Sequence, residues 1–267
     1  MNALLPADYH THTRLCRHAG GDPLDYARAA AARGIPEIAC TDHIPFPNDP
    51  SPSIRMTRAE LDAYFDLVRD AQRANLCTVL LGIEADYQRD LVNGHVQAVL
   101  DSADFDVVLG SLHTGPFWDL APDDPAATPE FVEQMNRTYY LRMAELARTG
   151  LYDVCSHFDI VKRCGVRAPG ILLAEIVPHA LDAVAAAGMA VEINTSGLDH
   201  GAAETYPSLQ ILGWMRERGI PITFGSDSHD PSQIGRHFEK AVDLARAAGY
   251  TQRAAFRRRK KTLVPIG

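Results

Sequence analysis

Long apolar runs are missing from this 267-residue chain. No stretch approaches the ~18 apolar residues of a membrane span, and the first eight residues carry neither a basic n-region nor a signal-peptide core. The expectation is a cytoplasmic protein with no membrane partner. Positive charge is also scarce: 26 Lys and Arg against 34 Asp and Glu give a net charge of −8. That balance argues against a nucleic-acid partner bound through a general basic surface. The only dense basic run, Arg257 to Lys261, reads as the solvated face of a terminal helix, with a polyanion site as the alternative. Cysteine is sparse and odd in number, with Cys16, Cys40, Cys77, Cys155 and Cys164 forming no CxxC pair. This fits a reducing compartment and excludes a disulfide framework. No GxGxxG or Walker loop follows any apolar run, so a nucleotide-binding open sheet lacks its signature.

What is present is an alternation of short apolar runs and helical patterns. Strands are expected over residues 7–12, 37–43, 78–87, 106–113, 154–159, 189–196 and 221–229. Helices are expected over 23–32, 57–75, 93–102, 129–149, 173–187, 207–218 and 232–248. Thr57 with Glu60 three residues on is a capping-box signature. A proline-rich loop covers 44–52 and another loop 114–128. Seven β-α units with no composition break predict one domain over residues 1–267. Its fold class is α/β, a distorted TIM-like (β/α)7 barrel of parallel strands.

The unusual residues fall at the C-terminal ends of these strands. His10 and His12, His43, Glu84, His113, His157, Asp227 and His229 all lie there, with His18 just past the first strand. In a β/α barrel those ends share the face that carries the active site. His10–His12 and Asp227–His229 share an i, i+2 spacing that points two side chains to one side of a strand. Nine imidazole and carboxylate groups exceed what one catalytic ion takes. They predict two or three divalent ions, with Zn, Fe or Mn favoured over Ca or Mg. Close ions of this kind polarise a phosphate ester and activate water. Asp42 and Asp159 flank ligand positions and could orient imidazoles or cap loops. Lys162 and Arg163 could clamp a phosphate or be a solvated pair. Phe117-Trp118 could wall a substrate or anchor its loop. His95, His179 and His237 lie in helical patterns and read as surface or packing residues.

With these residues assembled, the chain resembles the polymerase and histidinol phosphatase (PHP) superfamily along nearly all its length. The matching runs are His10-Thr-His12, Thr41-Asp-His43, Gly82-Ile-Glu84, Ser111-Leu-His113, Ser156-His157 and Gly225-Ser-Asp-Ser-His229. Cys16-Arg-His-Ala, Glu84-Ala-Asp-Tyr87, His157-Phe-Asp-Ile-Val-Lys-Arg163 and Glu192-Ile-Asn-Thr-Ser-Gly197 are similar to the monofunctional histidinol-phosphatase subgroup. The resemblance implies a trinuclear centre. His10, His12, Glu84 and Asp227 would hold the first ion, Glu84, His113 and His157 the second, and His18, His43 and His229 the third. It implies hydrolysis of L-histidinol phosphate in histidine biosynthesis. One departure stands out: after Ser-Gly-Leu such phosphatases usually carry an Arg that helps bind phosphate, and here the residue is Asp199. His200, Arg163 or Lys162 could compensate.

The sequence therefore reads as a metal-dependent phosphomonoesterase acting on a small phosphorylated substrate. A PHP-type phosphoesterase with another small phosphorylated metabolite is the alternative, and a non-catalytic barrel the rival of another class. Asp227 and His229 are expected to orient the attacking water or pass a proton, and Asp86 to contact the substrate ammonium. Removing the first dozen residues is expected to abolish activity while sparing most of the core. No feature of the sequence indicates an oligomeric state.

Overall fold

The computed structural model describes residues 5–47, 52–118, 120–121 and 123–266. Parts of both expected loops, 48–51, 119 and 122, lie outside the described residues. Six parallel strands form one sheet in chain order: β1 (Glu37–Cys40), β2 (Thr78–Asp86), β3 (Val107–Ser111), β4 (Val154–Cys155), β5 (Ala190–Asn194) and β6 (Ile222–Gly225). Parallel neighbours cannot be joined by a hairpin, so helical crossovers connect them. These are α2 (Leu61–Ala74), α3 (Gln97–Leu100), α4 (Pro129–Arg148), α5 (Gly170–Ala186) and α6 (Leu209–Glu217). Helix α1 (Pro23–Ala32) precedes β1, and α7 (Phe238–Ala247) follows β6. The helix expected over 93–102 is a π-helical turn, Val92–Val96, running into the single turn of α3.

The expected first strand is not a continuous ladder. Asp8 instead bridges Ile38 of β1, and Thr11 bridges Ser228 just past β6. The Tyr9 N–H donates to the Phe224 carbonyl at 2.9 Å, and the Ala39 N–H to the Asp8 carbonyl at 2.8 Å. The N-terminal segment thus sits between the first and last strands and closes the curl. The buried Asp8 carboxylate accepts from the N–H groups of Ser226 (2.9 Å) and Gly235 (2.8 Å). This segment is part of the frame, which corrects the expectation that its removal would spare most of the core.

Strand side chains alternate between two cores. Ala39, Leu80, Val107, Leu109, Val154 and Ala190 cluster with Ala7 and Tyr9 inside the curl. Ile38, Val108, Cys155, Val191, Ile193, Ile222 and Phe224 belong to the larger cluster shared with the helices. The end of the chain departs from expectation. Residues 257–261 are not a helix face but the tip of an antiparallel hairpin, β7 (Gln252–Arg257) with β8 (Lys260–Pro265). Arg258 and Arg259 make the two-residue turn with φ of 46° and 62°. Ala254 and Phe256 of β7 complete the inner core. Three of the five basic side chains are tied down: Arg257 to Glu37, Arg259 Nε to Asp153 at 3.0 Å, and Lys261 to the Gly188 carbonyl at 2.5 Å. Because these partners lie at the starts of strands or just before them, the hairpin plugs the end of the barrel away from the strand C-termini.

At those C-termini the ladders stop earlier than expected, and the chain turns over the rim. The last expected strand positions, among them 41–43, 156–159 and 226–229, carry the polar residues outward. His157 and Asp227 sit at φ of 24° and 52°, in the sparsely populated left-handed region.

Candidate metal centre

Glu84, at the rim end of β2 and fully buried, is the hub. Its Oε2 lies 3.4 Å from His10 Nε2, 3.5 Å from His12 Nε2 and 2.9 Å from His43 Nδ1. Its Oε1 lies 3.4 Å from His113 Nε2 and 3.0 Å from His157 Nε2. Asp227 Oδ1 completes the first side, 3.7 Å from His10 Nε2 and 3.4 Å from His12 Nε2. His18, His43 and His229 bring their ring nitrogens together at the outer edge. All nine ligand-type residues singled out in the sequence thus meet in one place.

The imidazoles are presented, not merely gathered. His10 Nδ1 pairs with Glu192 Oε1 at 2.7 Å, His18 Nδ1 with the Cys16 carbonyl at 2.6 Å, and His229 Nδ1 with the Asp227 carbonyl at 3.0 Å. His113 Nδ1 pairs closely with Asp86, and His12 Nδ1 faces Cys16 Sγ at 3.4 Å. A partner on Nδ1 selects the tautomer whose Nε2 lone pair faces the cluster.

Whether this set suits a cation can be tested on the atoms themselves. His10 Nε2 and His12 Nε2 are buried with no hydrogen-bond partner among the described residues, and so are His43 Nδ1 and Glu84 Oε2, which lie 2.9 Å apart without forming a hydrogen bond to each other. Buried polar atoms are normally satisfied, at a cost of about 1–3 kcal/mol each when they are not. Four such atoms converging on one point fit a metal ion. The charges agree. Burial works against a charged His10, yet the carboxylates of Glu192, Glu84 and Asp227 hold its pKa well above the ordinary value. The same field attracts a divalent cation. Burial pushes His43 down to about 4, despite Glu84, so the ring is neutral at neutral pH and one of its nitrogens keeps a free lone pair.

Glu192 and Asn194 on β5, which the sequence shows only as part of a matching run, belong to the site. Glu192 Oε2 also accepts the His157 N–H at 2.8 Å, which pins the strained residue. Asn194 and Ser196 donate to Asp227 Oδ2 at 3.3 and 3.2 Å. The signal was available: two polar residues, i and i+2, inside an otherwise apolar strand. Gly225 explains itself here, since a Cβ would meet Glu192 Oε1 at 1.8 Å and His10 Cβ at 2.6 Å.

The cluster floors a cleft of about 540 Å³. Arg163, His200, Trp118, Ile160, Ser196 and Arg236 are among its lining residues. The Arg163 guanidinium lies 5.0 Å above the Trp118 ring and makes no hydrogen bond or ion pair with the described residues. Lys162 and Asp86, expected at the substrate, are placed elsewhere. Lys162 Nζ is buried against Asp159 (2.7 Å), Glu204 (2.8 Å) and the Thr205 carbonyl (3.0 Å), so its charge is consumed behind the cleft wall. Asp86 lies beneath the cleft, paired with Arg55 Nη1 at 2.7 Å and with His113. Burial disfavours its charge, but His113 and Arg55 outweigh that and keep it ionised. Asp42 and Asp159 orient no imidazole. Asp42 accepts from the Thr13 N–H and hydroxyl, each at 2.6 Å, and Asp159 from Ser208 N–H at 3.1 Å.

The sequence pattern of the PHP domain matches residues 8–196. A probable histidinol-phosphatase of Deinococcus radiodurans is 37% identical, covering 95% of this chain and 97% of that protein. The chain belongs to the PHP domain family. A histidinol-phosphatase of Lactococcus lactis is 27% identical over 93% of both chains. The crystal structure of a histidinol phosphate phosphatase from the same species, complexed with zinc, L-histidinol and phosphate, superposes with a TM-score of 0.81 at 25% identity. It covers 97% of this chain and 100% of that one.

Proposed function

We propose that this protein is a metal-dependent histidinol-phosphatase that hydrolyses L-histidinol phosphate to L-histidinol and phosphate, in the cytoplasm, in histidine biosynthesis. The observation that carries the reading is the convergence of eight ligand-type groups around Glu84 in a chain related end to end to a probable histidinol-phosphatase. His10, His12, Glu84 and Asp227 would hold one ion, Glu84, His113 and His157 a second, and His18, His43 and His229 a third. Zn, Fe or Mn suits such a donor set. When bound, the ions supply Lewis-acid polarisation of the phosphoryl group and a reactive water at neutral pH.

The chain's own residues do the rest. Arg163, stacked on Trp118, offers unpaired N–H donors to the phosphate, with His200 beside it. Trp118 and Ile160 give the organic part of the substrate an apolar wall. Asp227, with Oδ2 gripped by Asn194 and Ser196, keeps Oδ1 facing His10 and His12, where it would orient the attacking water and relay the proton that water loses to the alkoxide oxygen as the ester P–O bond breaks. His229 lies beside it at the mouth. A PHP phosphoesterase for another small phosphorylated metabolite is the second reading, and the Asp199 carboxylate near the cleft favours it.

The test is steady-state hydrolysis of histidinol phosphate beside a panel of phosphomonoesters, with metal analysis of the same sample. A clear preference in kcat/KM for histidinol phosphate is expected. Turnover no better than for generic esters would reject the substrate. Fewer than about two ions per active chain would reject the multinuclear site.

A further inference from the structure

We propose that Arg236, on the loop after β6, is a phosphate-binding residue, held in place by Asp199. The inference rests on the phosphomonoesterase reading above. Among the described residues, Arg236 and Arg163 are the two guanidinium side chains lining the cleft over the cluster of candidate metal ligands. Arg163 approaches from the loop after β4, and Arg236 from the loop after β6.

The grip on Arg236 is specific. Its Nε donates to the Ser226 carbonyl at 3.0 Å and its Nη2 to the Asp227 carbonyl at 3.1 Å. Its Nη1 lies 3.2 Å from Asp199 Oδ2. A guanidinium has five N–H donors in a rigid plane. Three are engaged, so two remain on a side chain that is 18% exposed and lines the cleft. A fork anchored on one edge and open on the other presents paired donors to phosphate with little entropy left to lose.

The same contacts change the meaning of Asp199. Its Oδ1 is 2.8 Å from His237 Nε2, so both oxygens face donors. The carboxylate that interrupts the basic pattern expected after Ser-Gly-Leu is the anchor of a guanidinium delivered from another loop. The competing reading is that Arg236 only staples the carbonyls around Asp227, whose φ of 52° needs support.

The two readings predict different losses. R236M and R236K are compared with the parent for inhibition by inorganic phosphate, using p-nitrophenyl phosphate as reporter, and for metal content of the same samples. The reporter is indifferent to the natural ester, so failure with histidinol phosphate leaves this test intact. R236M is expected to keep its metal while the phosphate Ki rises about 10- to 100-fold, the range of a charge-assisted hydrogen bond. R236K, which keeps the charge but loses the fork, is expected to fall between, and it carries the test alone if R236M does not fold. An unchanged Ki would overturn the proposal. Parallel loss of metal in both variants would also overturn it, and would assign Arg236 to holding Asp227.

Discussion

Glu192 shows how much of the site is made by residues that would touch neither metal nor substrate. It holds His10 Nδ1 with one oxygen and the His157 N–H with the other. Glu192→Gln keeps the shape but removes the charged acceptor. Metal affinity is expected to fall about 10- to 100-fold, as for other partners of ligating histidines. Chelator competition on the purified variant measures it, and an unchanged affinity would refute the role. The same logic reassigns Asp86, which the sequence placed at the substrate because it follows Glu84 by two. That spacing does put the two side chains on one face of β2. Yet Arg55 and His113 meet Asp86 first and leave it no surface. No one-dimensional pattern reveals that Arg55, far along the chain, returns to this point.

At the scale of elements, the capping box that opens the chain leading into α2 makes a pH-dependent contribution. The Glu60 carboxylate accepts from the Thr57 N–H and hydroxyl, each at 2.8 Å, and pairs with Arg17. Partial burial disfavours its charge, but these contacts outweigh burial and lower its pKa below 4.5. A carboxyl whose pKa falls on folding stabilises above its unfolded pKa, and that stability is lost as the pH drops through the folded value. Glu60→Gln should therefore lower the thermal midpoint at pH 7, and the gap to the parent should close as the pH falls below 4.5. A gap that stays constant with pH would sink the assignment. The box was legible because its two residues are local. The hairpin β7–β8 was not. Its turn is Arg258-Arg259, both at positive φ, where Asn-Gly or Asp-Gly is the usual signal. The surrounding charge run reads as helix surface.

Across the whole molecule, closure depends on contacts between the two ends of the chain. Asp8 binds Ser226 and Gly235, and Tyr9 packs on Phe256 with ring centroids 6.1 Å apart. Deleting residues 1–12 leaves those N–H groups unpaired and opens the inner core, beyond removing the candidate ligands His10 and His12. A chain that has lost its cooperative unfolding transition is expected, not a folded and inactive barrel. Calorimetry decides between them, and a transition within a few degrees of the parent would contradict the closure argument.

The alternation of strands and helices, the parallel barrel-like sheet, here six strands where seven were expected, and the nine rim residues followed from the sequence alone. Their signals are periodic or lie at strand ends, where residue type and position on the chain coincide. The tertiary structure decided the rest, because it depends on which distant groups meet. It turned Lys162 into a buried ion pair, set Asp86 beneath His113, and made Glu192 the brace for His10 and His157. It also delivered Arg236 to Asp199. Charge and hydrogen-bond demand can be read from composition, but which partner satisfies them is fixed only when the chain closes.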